Sequence, residues 1–433
     1  MLLAFRASNA RSFRDEFELS LVATKLAAPG VAREIPRTGD GKTVEVLPSA
    51  ALFGPNASGK SNLLSVLHDL RANVVNSFRR APGDGTTRVP FLLDPAASQE
   101  PTRFEVDLVI GGVEYQYLLE VDDERVLAEQ AWWFPKGRRA LLFERDLEGM
   151  HFGAAARADG RAAERVLRPD ALFLSTAAAT GHPLLRSLHG WFQRNLLFAE
   201  ESSRLSRQVF TASLLDEPEV GEAVRGLVRA ADLGIAGARS VSIEPADRER
   251  LARVVHILRG EEGEPDPDEA LPFEIGVRLT HEGTRGDVEL QPDEESLGTL
   301  VWLGLAGPVV HALLTGSVLL ADELDASLHP TLVRRLVDLF QDSERNPNRA
   351  QLIFNTHDAT LLPNSRGDGA LGRDQVWFTE KLPDGRTRLT ALADFGPRRD
   401  EAVRNRYLAG RYGAVPITTP AAFDPIATIP SAR

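Results

Sequence analysis

The stretch richest in chemistry is Ala50–Asn62, which reads Ala-Ala-Leu-Phe-Gly-Pro-Asn-Ala-Ser-Gly-Lys-Ser-Asn. Gly54, Gly59, Lys60 and Ser61 fit the phosphate-loop spacing G-x-x-x-x-G-K-[ST], with Pro55, Asn56, Ala57 and Ser58 filling the loop and Asn62 following it. Glycines at these places let consecutive backbone N–H groups turn toward one anion, and the unpaired N–H groups of a following helix add a positive dipole end. In such a loop Lys60 sits beside the β- and γ-phosphates and the Ser61 hydroxyl holds Mg²⁺. The alternative is a glycine-rich turn that merely precedes a lysine. The flanks speak against it: Ala50–Phe53 is a short apolar run, and Leu63, Leu64, Val66, Leu67, Leu70, Val74 and Phe78 recur near helical spacing. The pattern predicts a nucleoside triphosphate site at a strand-to-helix junction.

Three further stretches carry candidate groups. Val318–Glu323 is an apolar run ending in Asp322 and Glu323, a pattern that delivers Asp322 to the edge of a sheet as a Mg²⁺ ligand. Glu323 then stands where a base can polarise an attacking water. By itself a strand ending in acids is common; its meaning comes from the phosphate loop. Leu352–His357 is a second apolar run, ending in a histidine that can hydrogen-bond a γ-phosphate from a strand's carboxyl end. His357 as a plain surface histidine, or His357-Asp358 as a two-residue metal site, are the competing readings; the second needs further ligands that the nine histidines do not cluster to supply. Finally, Glu295-Ser-Leu-Gly-Thr299 opens a long helix. Ser296 and Gly298 read first as an N-cap, and in combination with the other motifs as a second anion-binding turn.

The elements that must position these residues can be read more coarsely. At 433 residues the chain exceeds one ordinary core, so a large α/β domain with an insertion, or two domains, is expected. With no cysteine, disulfides and thiolate metal sites are excluded, and a reducing cytoplasm fits. The N-terminal residues lack a signal-peptide pattern, and the longest apolar run, near Val301–Leu320, is expected to be broken by Gly304, Gly307, Pro308 and Gly316 rather than to span a membrane. A net charge of −12 argues against coating DNA through the whole surface, while leaving local basic patches possible.

In chain order, Leu2–Phe5 and Phe17–Val22 read as strands around Asn9-Ala-Arg-Ser-Phe13, and Gly30–Lys42 reads as a polar loop. Pro90–Arg145 alternates as an antiparallel layer, with a hairpin at Gly111-Gly112. From about Ala154 to Arg259 the periodicity is helical; Glu261–Glu269 is an acidic solvated loop, Phe273–Leu279 a strand, and Thr418–Arg433 a loosely ordered tail. The expected division is 1–153, an N-terminal ATPase lobe; 154–270, a helical insertion; and 271–433, a C-terminal ATPase lobe.

Taken together the motifs occur in the order found in ABC-type ATPases, and resemble the SMC/RecF/OLD branch; Asp322-Glu-Leu-Asp-Ala-Ser-Leu-His-Pro330 looks like its Walker B and D-loop. At family level the chain resembles the bacterial RloA-like ATP-binding proteins, associated with abortive infection and phage defence. That resemblance is carried by Asn9–Phe13, Gly54–Asn62, Pro101–Val106, Leu142–Arg145, Glu295–Thr299, Leu352–Asp358 and Gly410–Pro416. It implies an α/β ABC/SMC-type P-loop ATPase head with an antiparallel β layer and an inserted helical subdomain. It further implies ATP and Mg²⁺ as ligands, and a homodimer in which each ATP lies between one subunit's phosphate loop and the other's Ser296 turn. A separately encoded effector, a nuclease or toxin, is the implied partner; a DNA contact is left open and no membrane is expected. Two departures stand out. Thr299 replaces the amide of the family signature, and the glutamine that senses Mg²⁺ has no compelling position, Gln99 lying near the expected region. A RecF-like DNA-repair ATPase, a transporter subunit and an ATP-bound scaffold with little turnover are the rival readings.

Overall fold

The computed structural model describes residues 1–36, 43–231, 234–242, 275–290, 294–364, 369–398 and 401–416. The expected acidic loop Glu261–Glu269 and tail Thr418–Arg433 lie outside the described residues, as does the end of the Gly30–Lys42 stretch. The chain divides into two compact units, one of Ser187–Phe354 (with Met1) and one of Leu2–Arg186 and Asn355–Arg433.

The second of these units begins with β1 (Leu2–Ser8) and β2 (Phe17–Ser20), antiparallel across the Asn9–Phe13 loop. β3 (Arg33–Pro36) pairs antiparallel with β4 (Thr43–Val46), so a strand lies within the Gly30–Lys42 stretch that the sequence suggested as a polar loop; Ile35 and Val46 are buried anchors of the pair. β5 (Ser49–Phe53) is buried at every residue and leads through the glycine loop into α1 (Lys60–Asn76). The expected apolar face of α1 is the buried one: Leu63, Leu64, Val66, Leu67, Leu70 and Val74. An antiparallel meander follows, made of β6 (Thr102–Ile110), β7 (Val113–Val121), β8 (Val126–Trp133), β9 (Ala140–Arg145) and β10 (Met150–Phe152). With β1 and β2 it makes one seven-stranded sheet, ordered β10-β9-β8-β7-β6-β1-β2. Alternate residues of β6 and β7 are buried (Phe104, Val106, Leu108; Tyr115, Tyr117, Leu119), as a sheet with one covered face requires. The antiparallel layer expected over Pro90–Arg145 is therefore present and is widened by the N-terminal pair.

Three helices follow: α2 (Arg157–Glu164), α3 (Phe173–Ala179) and α4 (Pro183–Arg194). The start of α3 is tied to the sheet by a buried carboxylate. Glu129 on β8 accepts from the N–H groups of Phe173 (2.6 Å) and Leu174 (2.9 Å) and from the Tyr117 hydroxyl (3.0 Å). Arg145 stands 3.8 Å from it and donates to the carbonyls of Ala171, Arg168 and Pro169. Burial is the largest influence on Glu129 and pushes its carboxyl up; the charge of Arg145 and the donated bonds oppose it.

The unit of Ser187–Phe354 contains β11 (Leu196–Ala199), α5 (Arg204–Leu215), α6 (Pro218–Arg229), β12 (Ile235–Ser242), β13 (Ile275–His281) and β14 (Val288–Leu290). It continues with α7 (Leu297–Thr315), β15 (Val318–Ala321), α8 (Pro330–Gln341) and most of β16 (Gln351–Asn355). β11, β15 and β16 are parallel neighbours, while β12, β13 and β14 are antiparallel. Two strands, β11 and β12, thus interrupt the stretch whose periodicity was helical. A run as short as Leu-Leu-Phe-Ala carries no period that separates a buried strand from a helix turn; pairing with β15 decides it.

α7 corrects another expectation. It runs unbroken through Gly304, Gly307 and Pro308 and stops only at Gly316 (φ 68°). Among the described residues it is long and apolar enough to cross a membrane by length and composition, but most of it is buried within the protein. Gly307 is explained by α5. A Cβ on Gly307 would stand 2.6 Å from Thr211 Oγ1 and 2.8 Å from Thr211 Cα. Thr211 Oγ1 donates to the Leu303 carbonyl (2.9 Å) and accepts from the Gly307 N–H (3.1 Å), tying the two helices together one turn before the proline.

The remaining strands, β17 (Val376–Lys381) and β18 (Thr387–Ala391), are antiparallel to each other, and β17 runs parallel to β5. The short α9 (Val403–Leu408) closes the described chain.

Candidate active site

The loop between β5 and α1 has the backbone its sequence requires. Gly59, the residue before the helix, has φ 106°, a conformation that side-chain-bearing residues rarely adopt. Ala57 is also left-handed (φ 62°). Both glycines are hemmed in. A Cβ on Gly54 would stand 2.3 Å from Thr379 Oγ1, and one on Gly59 would stand 2.3 Å from Thr387 Oγ1 and 2.9 Å from Ser12 Oγ. Lys60, largely buried at the first position of α1, donates to the carbonyls of Gly54 (2.9 Å) and Pro55 (3.1 Å), folding its side chain back over the loop.

Residues the sequence did not single out hold this loop. Thr387 on β18 bonds Ser12 Oγ (2.8 Å) and donates to the Ser58 carbonyl (2.9 Å), and its N–H donates to the Ser12 carbonyl (2.7 Å). Thr379 on β17 shares a 2.6 Å bond with Ser58 Oγ. The side chain of Ser58 is thus turned into the protein, and Asn62 donates to Ser12 Oγ (2.8 Å) rather than pointing away. The Asn9–Phe13 motif belongs to the same brace. Arg11 forks onto Asp69 of α1 (2.7 and 2.8 Å), and the buried Asn9 donates to the carbonyls of Ala97 and Glu100 while accepting from the Phe91 N–H. Gln99 is exposed in the short turn beside Asn9, its amide bonded to Ser98.

Beyond β16 the chain passes close to the loop. The Thr356 N–H donates to the Leu52 carbonyl (3.1 Å), and the buried Asn355 reaches Ser61 Oγ through its amide (3.4 Å). His357 is exposed just after these two residues. Asp358 Oδ1 accepts from the Thr360 N–H (2.8 Å), capping the turn that follows. Among the described residues no group of three or more His, Asp or Glu side chains is arranged to hold a metal ion.

In the other unit, Asp322 and Glu323 follow β15, the Asp322 N–H donating to the Ala199 carbonyl (3.0 Å). Glu323 is exposed with φ 50°, and Ser327 four residues on has φ 61°. Left-handed non-glycine residues cost about 1–3 kcal/mol each and gather at functional turns. Ser296 caps α7: its Oγ accepts from the Thr299 N–H (3.1 Å) and bonds Thr299 Oγ1 (2.8 Å). Thr299 is consequently buried and turned toward Ser296. Gly298 is required by a close approach, since a Cβ there would meet the Ser327 carbonyl at 2.8 Å. A cavity of about 150 Å³ lies against Asp322, Glu323, Ser327, Leu297 and the buried Arg207, so the start of α7 and the acidic turn share one pocket wall. His329, in the Ser-Leu-His-Pro turn, caps α8 by accepting from the Thr331 N–H (3.2 Å).

A buried strand, a glycine loop with enforced left-handed backbone and a lysine at the first turn of the following helix define a P-loop nucleotide-binding protein. Residues 49–362 match the family described as "AAA domain, putative AbiEii toxin, Type IV TA system", and the chain belongs to that AAA-domain family. Among solved structures the chain is similar to an SMC head bound to the C-terminal winged-helix domain of ScpA, at 14% identity over 90% of this chain and 96% of that one, TM-score 0.43. It is similar also to the SMC head domain from Thermotoga maritima (12%, 90% and 98%, TM-score 0.39) and to an SMC head from Pyrococcus furiosus bound to the C-terminal domain of ScpA (12%, 84% and 97%, TM-score 0.38). No curated protein matches the chain.

Proposed function

We propose that this protein binds and hydrolyses ATP. The observation that carries the reading is the loop at Gly54–Ser61, where two glycines are hemmed in by Thr379 and Thr387 and Lys60 is folded over the backbone. Backbone N–H groups of the loop that ends at Ser61 and the ammonium of Lys60 would hold the phosphates. Mg²⁺ would take the Ser61 hydroxyl, which Asn355 steadies, and the Asp322 carboxylate is the further ligand of this reading. When bound, the ion neutralises charge on the β- and γ-phosphates. Glu323 takes a proton from water, its left-handed backbone setting where the carboxylate stands, and His357 donates a hydrogen bond to the γ-phosphate.

The wider reading is a homodimer that closes over ATP through the Ser296–Gly298 turn. It acts in the cytoplasm as the sensor or motor subunit of a phage-defence system, with a separate effector. The family description, which names a toxin–antitoxin system, supports that setting. The direct test is Lys60→Ala: ATP binding, followed by titration calorimetry, is expected to be lost along with phosphate release. Equal affinity and equal turnover in variant and parent would overturn the assignment.

A further inference from the structure

One arginine near the end of the described chain is built into the loop that carries His357. Arg404, half-buried on α9, donates through Nε to the Ala359 carbonyl (3.1 Å) and through Nη2 to the Thr360 carbonyl (2.7 Å). Its own N–H donates to the Pro363 carbonyl (3.2 Å). The planar guanidinium thus forks across two successive carbonyls two and three residues beyond His357, a geometry that a lysine cannot reproduce. α9 is in turn fixed from below. Tyr407 stacks on Phe378 (5.6 Å between centroids, 13° between planes) and meets Phe53 edge-on at 5.7 Å. Tyr412 stacks on the same Phe378 at 5.0 Å, with its hydroxyl on Glu401 (2.8 Å). Phe53 is the last residue before Gly54, and Phe378 precedes the Thr379 that crowds Gly54. One short segment therefore grips both the root of the phosphate loop and the turn after His357.

We infer that Arg404 is a positioning residue: its guanidinium locks the Ala359–Leu361 turn so that the His357 imidazole keeps a fixed place relative to the phosphate loop. The inference rests on the ATPase reading for its consequence in turnover, but not for the ordering itself. Released from the clamp, the turn gains freedom and the imidazole leaves its place for part of the time. ATP binding, which rests on Lys60 and the loop backbone, is untouched. Misplacement of a group on this scale lowers a rate by up to about a hundred-fold.

The test compares Arg404→Ala and Arg404→Lys with the parent by amide hydrogen exchange over residues 356–362, ATP affinity, kcat and KM. Arg404→Ala is expected to exchange faster over 356–362 and to lose about ten- to a hundred-fold in kcat at unchanged KM. Arg404→Lys, able to reach one carbonyl, falls between. Combining Arg404→Ala with His357→Ala should be no slower than His357→Ala alone, because both act on one imidazole. Unchanged exchange over 356–362 in Arg404→Ala, or kinetic effects that multiply in the double variant, overturns the inference. A parent that binds but never hydrolyses ATP sinks the hydrolysis reading instead, and the exchange measurement then decides the clamp by itself. If Arg404→Ala does not fold, Arg404→Lys carries the same comparison.

Discussion

Replacing Gly59 with alanine probes the brace around the phosphate loop. Two costs arise at once. The backbone at φ 106° is one that an L-residue adopts at a cost of about 1–2 kcal/mol. The new Cβ would also stand 2.3 Å from Thr387 Oγ1, 2.7 Å from its Cγ2 and 2.9 Å from Ser12 Oγ. Thr387 must then leave its bonds to Ser12 and to the Ser58 carbonyl, each worth about 1 kcal/mol net. The sum is about 3–4 kcal/mol. The cheapest escape is for the loop to abandon its cradle, so the strain appears as the cost of restoring that shape around a nucleotide. ATP affinity should fall by about 10²–10³-fold, read by titration calorimetry, while melting of the fold shifts little. Thr387→Ala alone loses only the two hydroxyl bonds, about 2 kcal/mol. In the double variant the clash is gone but the backbone cost and the lost bonds remain, so it should match Gly59→Ala rather than the sum of the singles. Additive effects, or Gly59→Ala binding ATP like the parent, would refute the reasoning.

Further outcomes follow from other parts of the molecule. Glu129→Ala leaves the Tyr117 hydroxyl and two N–H groups of α3 without their acceptor and Arg145 without its neighbouring carboxylate, and should cost about 3–5 kcal/mol in urea denaturation. Because burial raises the Glu129 carboxyl above its ordinary 4.5, the folded state holds that proton more tightly than the unfolded chain. Its share of stability is therefore full at low pH and lost as pH rises from about 4.5 through the raised value, so the stability gap between parent and Glu129→Gln should narrow over that window. Ser296→Ala removes an N-cap and should cost about 1 kcal/mol in stability. In a dimer that closes over ATP it should also slow turnover, and mixing it with Lys60→Ala should restore one working site per pair; no recovery on mixing counts against the shared site.

Where the local pattern was strong, sequence and structure agree. The loop at Gly54–Ser61, the buried face of α1, the antiparallel layer, the Ser296 cap and the two apolar strands that lead to Asp322 and, two residues past the strand's end, to His357 were legible, because glycine spacing, caps and periodicity are local properties. The brace was not. Thr379 and Thr387 lie more than 300 residues from the loop they hold, and nothing in their neighbours' sequence marks them. Asn9–Phe13 was visible as a motif without its role, which appears only when Arg11 meets Asp69 and Ser12 meets Thr387. Asn355 stood inside the run ending at His357, and its reach to Ser61 depends on where that strand ends in the fold. β11 and β12 were lost in a helical periodicity because tertiary pairing, not pattern, makes them strands. α7 runs on through Pro308, and Thr211 of α5 bonds it at Leu303 and Gly307, a contact between segments that no local pattern announces.

The central claim, that Glu323 draws the proton from water during ATP hydrolysis, is tested most directly by Glu323→Gln, followed by bound ATP, light-scattering mass and phosphate release in Mg²⁺. The amide keeps the shape at φ 50° but accepts no proton. The expected result is parental ATP binding, an ATP-dependent dimer that persists, and phosphate release slowed by about 10²–10⁴-fold. Hydrolysis at the parental rate in Glu323→Gln would contradict the account.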